Sequence, residues 1–125
     1  MRHQQSILMG YDVLYELRIY EIPPGCMERI LSRFANHTMA IFERFDIEVV
    51  GFWQEEVGRS DRLLYLTRFT DSADRDAKWA AFQADPEWQR VRLETEAEGP
   101  IVARVLNSYM TVSYTHLTLP TILLV

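Results

Sequence analysis

A single cysteine in 125 residues leaves no partner for an internal disulfide and too few thiols for a multi-cysteine zinc site. A reducing compartment, read as the cytoplasm, is the expectation. Basic residues are outnumbered, 13 against 18 acidic ones, for a net charge of −5. Nucleic-acid binders are usually basic because they must neutralise phosphates, so nucleic acid is excluded as the main partner. No apolar run approaches the roughly 20 residues of a membrane-spanning helix. The run Ile7 to Met9 is too short for the core of a signal peptide. Also missing are a P-loop, a dinucleotide-binding glycine pattern, a G-x-S-x-G elbow and a paired-carboxylate constellation. No cofactor is expected on this reading.

What the chain does have is apolar and aromatic bulk, 48% and 12% of its residues, enough for the packed core of one domain. A domain of this size still leaves much surface exposed, so a partner subunit would bury more. Residues 1–12 show no period and read as a loose N-terminal extension. Val13 to Ile22 reads as a strand, with Tyr15, Leu17 and Ile19 alternating with Glu16, Arg18 and Tyr20. Pro23-Pro24-Gly25 ends it. Met27 to Phe45 carries an apolar stripe at helical spacing: Met27, Ile30, Leu31, Phe34, Thr38, Ile41, Phe42 and Phe45. Ile47 to Glu55 and Arg62 to Phe69 are the second and third strands, with a polar turn at Gly58 to Asp61 between them.

Ser72 to Arg90 then reads as two helices around a sharp corner. Ser72, or Asp71 beside it, can cap the first helix. A residue before proline is pushed out of the α region, so Asp85-Pro86 stops that helix near Ala84. Pro86 suits the first turn of the next helix, with Asp85 as its cap and Glu87 near its positive end. Arg75, Trp79 and Phe82 share one side of the first helix and should face a core or pocket. Gly99-Pro100 breaks the chain again, and Ile101 to Thr111 is the fourth strand.

The order β-α-β-β-α-β is the ferredoxin-like pattern of an α+β domain. It predicts an antiparallel four-stranded sheet in the order 4-1-3-2, with helices on one face. Both parities of the strands carry large apolar residues, for example Val49 and Trp53 against Val50 and Phe52. Both sheet faces therefore look buried, and a second subunit laying its sheet on the first would cover the bare one.

The motif R-x-x-x-W-x-x-F-x-x-D-P-E-W, from Arg75 to Trp88, resembles the NIPSNAP domain, a branch of the dimeric α+β barrel superfamily. G-F-W at Gly51 to Trp53, L-x-Y-L at Leu63 to Leu66, and Y-E-L-R-I-Y before P-P-G carry the same resemblance. It spans about Tyr15 to Tyr109 and implies a homodimeric barrel over 13–111. It implies no single reaction. Val112 to Thr121 resembles the conceptual translation of a sequencing adapter, which implies a non-native tail over 112–125; Tyr114 and His116 are set aside on that ground.

Three groups of residues are candidates for chemistry. His37 lies beside the apolar stripe of the long helix, where a group that titrates near neutral pH can act as acid or base; the plainer reading is a histidine at the core edge. It has no second ligand on its helical face, so no metal is expected. Arg18, Arg68 and Arg104 sit on neighbouring strands. If they project from one face, their guanidiniums would hold a carboxylate or phosphate inside the barrel. The plainer reading pairs them with Glu16, Glu21 or Glu48. Trp53, Tyr65 and Trp79, with Phe82 and Trp88, would line a pocket for a flat or apolar ligand, or simply fill the core. Cys26, at a helix start, is read as incidental.

A homodimer that binds a small organic molecule, acidic or aromatic, is the leading functional expectation. Related dimeric barrels include cofactor-free monooxygenases, isomerases and haem enzymes, an analogy of fold alone. In an enzyme of this kind His37 would be the acid or base, and Arg18 and Arg68 would orient an anionic group. Trp53 and Trp79 would shape the pocket. The alternative is a non-enzymatic protein-interaction module, since the resemblance extends to eukaryotic members linked to mitochondria and to vesicle functions. Haem bound through His37 is a third reading, and no haem is expected.

Overall fold

The computed structural model describes residues 13–112. The expectations for 1–12 and for the tail lie outside those residues, apart from Val112. Strand β1 is Leu14–Glu21, β2 is Glu48–Trp53, β3 is Arg62–Phe69 and β4 is Arg104–Thr111. They form one antiparallel sheet in the order β2-β3-β1-β4, the predicted order read from the other edge. Helix α1 runs from Met27 to Arg44 in three segments, α2 is Ser72–Ala84 and α3 is Pro86–Thr95. Arg104, not Ile101, opens β4; Ile101 is instead buried in the core just before the strand.

The caps explain the helix limits. Asp71 accepts a bond from the Asp74 N–H at 2.7 Å, and Asp74 in turn accepts from Thr70 N at 3.0 Å, a reciprocal arrangement close to a capping box. Asp85 is extended, accepts from Trp88 N at 2.9 Å, and places Pro86 in the first turn of α3. Arg44 bridges from the end of α1 to both Asp85 and Glu87 at 2.9 Å, so it fixes the α2–α3 corner against α1.

Helix α1 contains a wide turn. Phe34–Thr38 is π-helical, between α-helical Met27–Arg33 and Met39–Arg44. The Met39 N–H reaches back five residues to the Phe34 carbonyl. The Thr38 hydroxyl donates to the Arg33 carbonyl at 3.3 Å. Its cause is legible in the buried stripe. Ile30, Phe34, Thr38 and Phe42 recur every four residues, whereas an α-helix returns every 3.6. Over three steps the shortfall is roughly one residue, and the π turn absorbs it. All four side chains stay buried as a result.

The core lies between the sheet and the helices and is dominated by rings. Phe34 meets Tyr65 at 5.1 Å and Phe52 at 4.9 Å, Phe42 meets Phe82 at 4.9 Å, and Phe82 meets Trp88 at 4.7 Å between ring centres. Tilted and edge-on pairs of this kind add to the burial of apolar area.

The C-terminus of α1 closes with Ile47 N–H bonded to the Phe42 carbonyl at 2.9 Å, and Asp46 sits in the left-handed region at φ 56°. That conformation is strained for a residue with a Cβ. Replacing Asp46→Gly is expected to raise stability by about 1 kcal/mol in urea unfolding. A lower midpoint would mean that the Asp46 side chain makes a contact worth more than the backbone relief.

Candidate functional site

Strand β1 turns its polar parity inward. Leu14, Glu16, Arg18 and Tyr20 face the helices and are buried, while Tyr15, Leu17 and Ile19 lie on the other face and are only half-buried. Opposed residues of an antiparallel pair share a face, so Arg18 lies beside Tyr65 of β3 and Asn107 of β4 on the helix side. Arg68 lies opposite Tyr15, and Arg104 lies opposite Glu21, both on the bare side. The three arginines therefore do not share a face, which corrects that expectation. The two bare-side arginines also stand at opposite ends of β1. Each of the three does meet the acid of its plainer reading: Arg18 with Glu16 at 3.0 Å, Arg68 with Glu48 at 3.8 Å, and Arg104 with Glu21 at 3.0 Å.

Glu16 is the centre of the arrangement. Its carboxylate is fully buried. It accepts from Arg18 Nη1 at 3.0 Å, Arg75 Nε at 2.8 Å, Arg75 Nη2 at 3.1 Å and Asn107 Nδ2 at 2.9 Å. These donors come from β1, α2 and β4. Arg18 also donates through Nε to the Tyr65 hydroxyl at 2.8 Å, and the Tyr65 and Tyr20 hydroxyls lie 2.8 Å apart. Trp79 covers this chain of bonds, with the Arg18 guanidinium 4.3 Å and the Arg75 guanidinium 5.3 Å from its ring centre. The ring of Tyr109 of β4, 46% exposed, also lies 5.3 Å from the Arg75 guanidinium. Such stacking is worth most where the cation is shielded from water.

Burial alone would push the Glu16 carboxyl up. The bonds from Arg75 and Asn107 and the charges of Arg18 and Arg75 more than offset it and hold the group below the ordinary glutamate value. Burial likewise pulls Arg18 down, but the neighbouring Tyr65, Tyr20 and Glu16 hold its pKa above the usual arginine value. The Tyr65 hydroxyl is pushed well above its ordinary value, by burial first and by Tyr20 second. At neutral pH the site holds a carboxylate, two guanidiniums and the neutral phenol of Tyr65. Asp76 accepts from Arg75 Nη1 at 3.3 Å, but it is exposed, where screening weakens the pairing. Glu16, Arg18 and Arg75 together thus carry one excess positive charge, offset from the surface by Asp76.

Of the residues singled out in the sequence, Arg18, Tyr65 and Trp79 converge here. Trp53 does not. It lies on the bare side, 51% exposed, against Gly51, where an added Cβ would come within 3.0 Å of its ring. His37 sits in the π turn and lines a separate depression with Arg33, Glu94 and Thr95, between α1 and α3. His37 and Arg18 are thus not brought into one site. Among the described residues no group of histidine, cysteine and carboxylate side chains could hold a metal ion. Asn107, Tyr20 and Tyr109 were missed by sequence reasoning, while Glu16 was read only as a partner for an arginine and Arg75 only as part of a ridge facing a core or pocket. The available signal was Arg75 and Trp79 one helical turn apart, with Glu16 and Arg18 at the same parity of the first strand.

The depressed pKa of Glu16 fixes a pH dependence. A carboxyl lower in the folded state than in the unfolded one stabilises fully above its unfolded pKa, and that contribution is lost as pH falls through the folded value. Glu16→Ala, which leaves the buried Arg18 guanidinium and the half-buried Arg75 without their shared acid, is expected to cost about 3–5 kcal/mol at neutral pH. It should also reduce the acid-dependent slope of the wild-type stability curve, to which Glu55, Asp61, Asp74 and Asp85, also held low by their partners, contribute the rest. Urea unfolding from pH 7 to pH 3 checks both; a variant that keeps the wild-type slope would mean another carboxylate governs acid unfolding.

The NIPSNAP family model matches residues 15–115. A mouse relative, protein NipSnap homolog 3B, is 30% identical over 76 residues; the match covers 60% of this chain and 30% of the mouse protein's length. A NIPSNAP-like domain protein from Burkholderia xenovorans superposes with a TM-score of 0.74 at 22% identity, covering 82% of this chain and 87% of that one. A cofactor-independent oxygenase from Streptomyces nogalater superposes with a TM-score of 0.55 at 18% identity, covering 87% and 98% of the two chains, a likeness of fold. With the family model spanning most of the sheet and every described helix, the chain belongs to the NIPSNAP family.

Proposed function

We propose that the protein is a homodimer that binds a small organic molecule at the Glu16–Arg18–Arg75 cluster beneath Trp79. The observation that carries this reading is the inversion of β1. An acid and a base are buried under the helices, while Tyr15, Leu17 and Ile19 of the same strand point away from them. A monomer that only needed to fold would gain by the reverse arrangement, since buried charges cost several kcal/mol to desolvate.

The two faces divide the proposal. The bare face presents Leu17, Ile19, Leu64 and Leu66, with Trp53, Leu106 and Met110 among its exposed apolar groups. Arg104 and Glu21 stand at one end of it, and Arg68 and Glu48 at the other. An apolar patch with a charged rim is the make-up of a subunit interface, and a second copy supplies a matching apolar face through two-fold symmetry. The helix side carries the ligand. Its excess positive charge suits an acidic group, and its aromatic cover suits a flat one. No helix among the described residues is long and apolar enough to cross a membrane. Turnover of the kind named for the Streptomyces oxygenase is part of this proposal only as a question for oxygen-consumption assays, with Arg18 and Trp79 in the binding roles and His37 outside the site.

Two measurements on the full chain check the reading. Native mass spectrometry of protein purified from cells is expected to give a dimer carrying a defined extra mass. Leu17→Glu, at the centre of the bare face, is expected to give a monomer in sedimentation velocity with its helical circular dichroism retained. A Leu17→Glu protein that stays dimeric would remove the sheet face as the interface.

A further inference from the structure

The depression between α1 and α3 shares no residue with the Glu16 cluster. Its volume is about 320 Å³, at the lower end of the range that small ligands fill. Glu28, Arg29, Ser32, Arg33 and His37 line it from α1, and Glu94 and Thr95 line it from α3. We propose that it is a second ligand site and takes an α-amino acid, with the carboxylate on Arg33 and the ammonium on the acids of the rim.

Arg33 is the anchor. It is only 6% exposed, and its guanidinium lies 5.0 Å from the centre of the Trp88 ring, which shields one side of it from water. Nη1 donates to the Thr95 hydroxyl at 3.2 Å and to the Glu96 carboxylate at 2.8 Å, and so spends both of its hydrogens. Nε and Nη2 have no partner among the described residues. They are not sealed away either. Trp88 Nε1 is the one side-chain nitrogen or oxygen among the described residues that is both closed off from solvent and unpartnered. A buried arginine that served only to tie α1 to α3 would spend its remaining donors on the protein. Here Nε and Nη2, with parallel N–H bonds, leave one whole fork open, and that fork matches the two oxygens of a carboxylate. Beside it, Ser32 accepts from Asn36 Nδ2 at 2.9 Å and keeps its own hydroxyl hydrogen to donate.

Charge decides what the carboxylate must bring with it. Glu96 already pairs with Arg33, and Arg90 pairs with Glu94 at 3.2 Å. Arg29 donates to the Thr95 carbonyl at 2.8 Å, and the exposed Glu28 has no partner among the described residues. His37 apart, three arginines thus meet three glutamates and leave no net charge. A lone anion would upset that balance and face Glu28 and Glu94 across the depression, where like charges repel. A phosphate dianion would do so twice over. A zwitterion adds no net charge, and its ammonium gives those two acids a partner.

Three molecules of one carbon skeleton separate the possibilities on the intact protein: L-alanine, propionate and propylamine, with inorganic phosphate as a fourth probe. The chain has three histidines, so the His37 ring signal in a carbon-13 NMR spectrum is assigned by its loss in His37→Gln. Alanine is expected to shift that signal saturably, at about tenfold lower concentration than propionate or propylamine. Arg33→Lys keeps the charge and loses the fork, and should weaken alanine binding about tenfold or more. Should Arg33→Lys fail to fold, the paired change Glu28→Gln and Glu94→Gln on the exposed rim decides the matter, since it should erase the preference for alanine over propionate. Tighter binding of propionate or phosphate would overturn the zwitterion in favour of a simple anion. Propylamine binding as well as alanine would remove Arg33 as the anchor. A His37 signal that none of the four moves saturably would overturn the site itself.

Discussion

The structure depends on the full burial of one carboxylate. Glu16 cannot stay ionised beneath the helices unless its donors arrive together, and those donors belong to β1, β4 and α2. The ion pair therefore acts as a registration device. It fixes how far β4 slides along β1, because Asn107 must reach the same oxygen as Arg18. It also fixes the rotation of α2, because Arg75 must point at the sheet. A buried pair of this sort is a poor source of net stability compared with apolar packing. Its worth lies in excluding other arrangements of the same elements.

Trp79 and Phe82 complete that arrangement. They sit one turn apart on α2, 5.1 Å between ring centres, and divide the space under the helix into two parts. Phe82 continues into Phe42 and Trp88, the dry part of the core. Trp79 covers the guanidiniums. One helix face thus serves packing at its C-terminal end and polar chemistry at its N-terminal end.

Most of the architecture was legible in the sequence because it rests on local rules. The α2–α3 corner follows from the steric demand of Pro86 and the capping capacity of Asp85, and both act within a few residues. The strand order follows from the β-α-β-β-α-β sequence of elements. The site was only partly legible, for a reason that lies in β1. Period two reveals that Glu16, Arg18 and Tyr20 share a face, but not which face the helices cover. Arg18 was singled out, yet it was grouped with Arg68 and Arg104, which the register sends to the other side. Glu16 was read only as a possible partner for an arginine. Asn107 and Tyr109 join the cluster through pairing across more than 80 residues of chain, which no local pattern encodes.

The π turn of α1 has a consequence for how this helix can vary. Each residue of an α-helix advances the side chains by about 100° around the axis. The wide turn holds one residue more than an α-helical turn would, so it works as a phase shifter between the two halves of α1. Removing a single residue there would let the helix close into regular geometry, but it would swing Ile30 on one half or Phe42 on the other away from the sheet. Length in this segment is therefore constrained as tightly as composition.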